Sequence, residues 1–127
     1  MKKWFKYIGY TVVTIAILIM VVILYWGRDQ NINFLSRLPK TFNYCNVEIK
    51  KNNKAYIELA SWLENNKNGW SNSPAYYIPT TLFKSELISI NILKTSVVIN
   101  YSNNGTNWHQ VIKGKKRNEL LMACKNS

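Results

Sequence analysis

An uncharged apolar run of nineteen residues, Ile8 to Trp26, constrains this chain more than any other feature. As a helix rising about 1.5 Å per residue it spans roughly 28 Å, close to the hydrocarbon thickness of a bilayer. Eleven of its residues are Ile, Val or Leu. Each favours the membrane centre by about 0.3–0.6 kcal/mol, so insertion is favourable by several kcal/mol. The reading is a transmembrane signal anchor over 8–26. It leaves residues 1–7 on one side and everything from Gly27 onward on the other.

The flanks set the expected orientation. Lys2, Lys3 and Lys6 precede the run, whereas Arg28 and Asp29 follow it with opposing charges. Positive residues are retained in the cytoplasm, so the N-terminus is expected inside and the remainder outside. Trp4, Phe5 and Tyr7 on one side and Tyr25 and Trp26 on the other fit interfacial aromatic belts. A cleaved signal peptide is the competing reading. It calls for an apolar region of roughly 7–15 residues and a small-x-small cleavage site, and the bulky Tyr25-Trp26-Gly27-Arg28 supplies neither.

Only two cysteines occur, Cys45 and Cys124, and they bracket almost the whole outer segment. A bond between them would close a loop of about 80 residues and contribute roughly 4.5 kcal/mol on the chain-entropy model. Such a bond persists in an oxidising compartment, in keeping with the orientation. A zinc site is not expected, because there is no second cysteine pair and His109 is the sole histidine. Seventeen asparagines among abundant Lys and Ile suggest an AT-rich genome, and the outer compartment is read as a bacterial periplasm beyond the inner membrane.

The net charge of +11 divides into +4 for residues 1–28 and +7 for residues 29–127, the latter from 13 basic and 6 acidic residues. The first block is topological signal. The second is a basic domain, concentrated in Lys113-Gly114-Lys115-Lys116-Arg117. That run suits an acidic protein or anionic headgroups, or else is a solvated turn; nucleic acid is not expected outside a membrane.

Along the chain, 27–43 reads as a juxtamembrane linker. Ile32, Phe34, Leu35 and Leu38 fall on one face, consistent with a short helix stopped before Pro39. The domain is expected over 44–127. Tyr44 to Lys50 alternates as one half-buried strand with Cys45, Val47 and Ile49 on one side. Asn52 or Asn53 can cap a helix through Ala55, Tyr56, Leu59, Ala60, Trp62 and Leu63, ended by a left-handed stop at Asn66, Asn68 and Gly69. After the loop Trp70–Pro74, Tyr76–Ile78 is a candidate edge strand ended by Pro79. Glu86–Leu93, Val97–Tyr101 and Trp108–Lys113 alternate as strands. A Lys94-Thr95 turn joins the first two, and Asn103-Asn104-Gly105-Thr106 forms a hairpin before the third. Asn118 is placed to cap a last helix, Glu119 to Ala123, that returns Cys124 toward Cys45. The expected fold class is α+β: one main helix on an antiparallel meander of four or so strands, in strand-helix-strands order. Cystatin-like and related small folds share that order, an analogy that leaves function open.

Catalytic chemistry is scarcely visible. The outer acids, Asp29, Glu48, Glu58, Glu64, Glu86 and Glu119, form no pair at a useful spacing. His109 has no evident nucleophile and orienting acid around it. There is no phosphate loop, metal cluster or nucleotide fingerprint. We therefore expect no enzyme and no cofactor. The candidate partner-binding residues are Trp70, Tyr76 and Tyr77 in a polar loop, with Lys113, Lys115, Lys116 and Arg117 as a basic rim. For Trp70 the alternative is a lid folded back on the helix end. The functional expectation is a single-pass protein displaying a non-catalytic protein-binding domain, an immunity or inhibitor protein against a periplasm-acting toxin. The alternative is a structural or assembly subunit of an envelope complex, with Gly9, Thr11 and Thr14 offering the span a contact stripe.

Overall fold

The computed structural model describes residues 1–78, 81–122 and 124. The apolar run lies within α1 (Lys2–Trp26), an unbroken helix of 25 residues with no buried side chain. It is long and apolar enough to cross a membrane. Thr11 and Thr14 return their hydroxyls to the carbonyls of Tyr7 and Tyr10 one turn back, at 2.9 and 2.8 Å. The two threonine hydroxyls of the span are thereby satisfied inside their own helix.

Beyond α1 the chain forms a short 3₁₀ turn (Leu35–Arg37), β1 (Thr41–Tyr44), β2 (Val47–Lys50), α2 (Lys54–Asn65), β3 (Ser71–Asn72), β4 (Thr81–Lys84), β5 (Ile88–Ile92), β6 (Ser96–Ser102) and β7 (Trp108–Gly114). The seven strands make one antiparallel sheet in the order β2-β1-β4-β5-β6-β7-β3. The expected class holds: a main helix on an antiparallel meander, with Cys45 and Cys124 bonded and their Cα atoms 5.4 Å apart.

Period-two alternation places Ile88, Ile90 and Ile92 of β5 beside Val97 and Ile99 of β6 and Val111 of β7 in the core. Tyr56, Leu59, Trp62 and Leu63 of α2 cover them, at the three- and four-residue spacing of one helical face. Asn53 caps α2 by accepting the Ala55 amide at 2.9 Å. The helix ends differently from expectation. Asn66 has φ −129°, outside the left-handed region, and only Gly69 further on is left-handed at φ 81°. The opposite sheet face is not bare. Residues 73–78 lie over it, tied by Gln110 Nε2 to the carbonyls of Ser73 and Ala75 and by Asn91 Nδ2 to that of Ile78, and Val98 beneath is fully buried.

Several expected elements are corrected. Tyr44–Lys50 is two strands, because Cys45 and Asn46 take φ 52° and 62° and turn the chain in a two-residue hairpin. That geometry is the primed turn, whose twist matches the strands it joins. Tyr76–Ile78 is no strand, its backbone being held by side-chain amides instead. The short strand after the loop is Ser71–Asn72, paired with Ile112 and Val111. Thr81–Lys84, unanticipated, fills the sheet between β1 and β5. Among the described residues no helix follows Asn118: Leu120 turns left-handed at φ 48° and buries its side chain. Pro79 and Ala123, expected to end a strand and a helix, lie outside the described residues.

The segment 27–43 is bonded to the rest of the domain. The Gln30 and Trp70 backbones exchange hydrogen bonds, and the Ile32 amide donates to the Lys67 carbonyl at 2.8 Å. Phe34 is buried edge-on against Trp70 and Tyr101, with centroids at 5.0 and 5.4 Å. Asn43 and Tyr44 at its end already pair with β4.

Candidate interaction surfaces

The expected aromatic cluster separates into core and surface. Trp70 is 0% exposed. It stands perpendicular to Trp62 at 6.2 Å, and its Nε1 donates to the Asn66 carbonyl at 2.8 Å. A large apolar body that also finds a partner for its one polar atom belongs inside. Trp70 is therefore the lid on the end of α2, not a binding residue. Tyr76, two residues beyond Pro74, is 90% exposed. Tyr77 is half-buried, its hydroxyl sharing a 2.9 Å hydrogen bond with Ser73. It shares a shallow groove with Ser89, Asn100 and Gln110 on the outer sheet face.

The basic rim also divides. Lys113 Nζ donates to the Asn68 carbonyl, stitching β7 to the loop after α2. Lys115 Nζ reaches the carbonyls of Lys94 and Glu119, each at 3.0 Å, and so fastens the chain end to the β5–β6 turn. These two are structural clamps. Lys116 and Arg117 are exposed. Among the described residues no hydrogen bond or ring contact joins Tyr76 or Tyr77 to the 113–117 turn.

A different basic surface forms where sequence distance hides it. Among the described residues β2 is the last strand of the sheet, with β1 as its one neighbour. Thr41 opposes Lys50 across that hairpin, and Lys40, Lys50 and Lys51 line one hollow with Thr41 and Asn52. Lys54 begins α2 just beyond, and all four lysines are exposed. Val47 on the same edge is 62% exposed. An open strand offers its outward amides and carbonyls to another chain, and flanking lysines favour an acidic one.

No catalytic constellation emerges among the described residues. No three of His, Cys, Asp and Glu stand close enough to hold a metal ion. His109 is exposed and tilts against the Tyr101 ring at 5.5 Å. Arg37 lies over that same ring at 4.8 Å and donates to Asn103 Oδ1. Glu119 is occupied by the Trp62 indole and the Lys116 amide, each at 3.1 Å. These two donors, aided by the charges of Lys116 and Lys115, hold its carboxyl below the usual range. Burial raises the Tyr56 phenol, whose hydroxyl donates to the Pro39 carbonyl. Burial first, and then the Glu58 charge, raises that of Tyr44.

No protein-family model, curated protein or solved structure matches this chain.

Proposed function

We propose that this is a single-pass membrane protein that holds a non-catalytic, protein-binding domain at the outer face of a bacterial inner membrane. In this reading α1 is the anchor, oriented by Lys2, Lys3 and Lys6, and the domain captures an acidic envelope or secreted protein. An immunity or inhibitor role against a toxin acting in that compartment is the form we favour. The observation that carries the reading is the open β2 edge, with Val47 exposed and Lys40, Lys50 and Lys51 grouped beside it. The scattered acids and the solitary His109 support binding over catalysis. The Thr11 and Thr14 hydroxyls, already bonded within α1, weigh against a polar helix-helix contact in an assembly subunit.

The test is affinity capture with the full chain in detergent, immobilised through its N-terminus, against envelope and secreted proteins of the source cell. Wild type should retain a specific acidic protein in a salt-sensitive manner. Lys50→Glu with Lys51→Glu should lose it, while Lys116→Glu with Arg117→Glu should keep it. Retention that ignores the first pair would remove the β2 edge from the proposal. Capture of nothing would remove the binder.

A further inference from the structure

We infer that the start of β7 is a lipid-contacting surface, with Trp108 seated in the headgroup layer of the bilayer that α1 crosses. This rests on reading α1 as the membrane span, and adds that the domain is docked on the membrane, not merely tethered near it. Two independent observations lead there.

The first is the tether. Only Gly27, Arg28 and Asp29 separate the last residue of α1 from the Gln30–Trp70 bridge. The four Cα–Cα steps from Trp26 to Gln30 extend at most about 14 Å. The far side of the tether is fixed: Gln30 exchanges backbone bonds with Trp70, and its Nε2 donates to Asn72 Oδ1 at 2.9 Å. Ser71 Oγ donates to Asp29 Oδ1 at 3.3 Å, which engages the tether itself. The β3–β7 edge therefore stays within about 14 Å of the end of α1 unless the Gln30–Trp70 pairing breaks.

The second is the cleft at that edge. Tyr25 and Trp26, the aromatic end of the span, line it together with Pro74, Trp108, His109 and Gln110. Trp108 alternates with Gln110 onto the outer sheet face and, large and apolar, is 48% exposed. Interfacial Trp and Tyr mark headgroup depth, a layer only about 5–8 Å thick on each side of the hydrocarbon core. A ring that shares a cleft with Trp26 falls within that layer. Its indole presents an apolar body to the acyl boundary and an N–H to headgroup oxygens. Arg28, two residues past Trp26, is exposed and supplies a cation for lipid phosphate.

Photocrosslinking tests this in the full chain reconstituted into liposomes of phosphatidylethanolamine and phosphatidylglycerol carrying a traceable headgroup. p-Benzoylphenylalanine replaces, one at a time, Leu18 within the span, Trp108, and Val47 on β2. All three side chains are exposed, so none of the replacements disturbs the core. Val47 stands six strand spacings from β3, about 29 Å across the sheet. Lipid adducts at 18 and 108, several-fold above those at 47, are the expected result. Adducts at 18 with none at 108 above the level at 47 overturn the docking and leave the anchor standing. No adducts at 18 overturn the anchor and the docking with it.

Discussion

The two edges of the sheet solve the same problem in opposite ways. At the β3–β7 edge the chain is held without a covalent bond: Trp70 and Phe34 are buried against each other, and the Gln30 backbone pairs with Trp70. At the β1–β2 edge little apolar surface is buried at the hairpin tip, and the Cys45–Cys124 bond does the holding. The difference follows from composition. The near edge gathers Phe34, Trp62, Trp70 and Tyr101. The far edge buries Phe42 and Ile49 behind its strands, but its hairpin tip leaves Val47 exposed beside the lysines. A staple stabilises it by restricting the unfolded chain instead.

The comparison breaks most sharply if the staple is removed. The bond spans 79 residues, so Cys45→Ala with Cys124→Ala should cost about 4.5 kcal/mol on the chain-entropy account. Denaturant unfolding of the full chain in micelles measures it. Hydrogen exchange should rise in Thr41–Lys50 and around Leu120 while β6 and β7 keep their protection. Uniform loss across the sheet would show that the edges are not separately held.

At the near edge, Trp70→Ala should cost about 4 kcal/mol, the usual range for emptying a buried tryptophan site. It also strands the Asn66 carbonyl that the indole satisfies. Here the exchange pattern should invert, with Ser71, Asn72 and the Gln30 amide opening first. A loss under about 1 kcal/mol would return Trp70 to the surface role that its loop position suggests in the sequence.

The same contrast explains what could be read before folding and what could not. β5, β6, β7 and α2 declare themselves, because alternation and helical spacing are local and each buries one face. The Asn104-Gly105 hairpin is equally local: Gly105 takes φ 80°, and Ser102 Oγ accepts its amide at 2.9 Å. The hairpin at Cys45-Asn46 is hidden, because cysteine is no turn residue and the alternation of 44–50 runs straight through it. β4 has too few residues to show a period, and it is a strand only because β1 and β5 flank it. Phe34 and Trp70 lie in segments of polar composition, and their burial depends on a pairing 40 residues apart in sequence. The run of charges at 113–117 is plain in the sequence. The grouping of lysines at 40, 50 and 51 is not, because only the β1–β2 register brings it together.

A smaller effect sharpens the role of α2, which starts beside the far edge and ends under Trp70. Asn53→Ala removes the acceptor for the Ala55 amide and should cost about 1 kcal/mol, as lost caps do. Since the helix packs on the whole sheet, thermal unfolding should shift without favouring either edge in exchange. A far-edge bias would mean that the first turn of α2 belongs to the β1–β2 unit.

The smallest expected effect is a pH dependence at the chain end, around Glu119. Glu119 is held below the ordinary carboxylate range by the Trp62 indole first and the Lys116 amide second, with the Lys116 and Lys115 charges adding to them. The unfolded chain therefore takes up this proton at a higher pH than the folded one. The resulting stabilisation is fully present above the unfolded value and is lost as pH falls through the depressed folded value. Between about pH 5 and pH 3, where ordinary carboxylates titrate, wild type should lose more thermal stability than Glu119→Gln. The variant keeps an oxygen for the indole to bond but has no charge to neutralise. The loss should be seen first in exchange around Lys116–Leu120, with the Trp70 amide moving less, because it is reached only through the Trp62 ring. Parallel pH curves for the two proteins would reduce the carboxylate to a spacer, leaving Lys115 and the disulfide to hold the chain end.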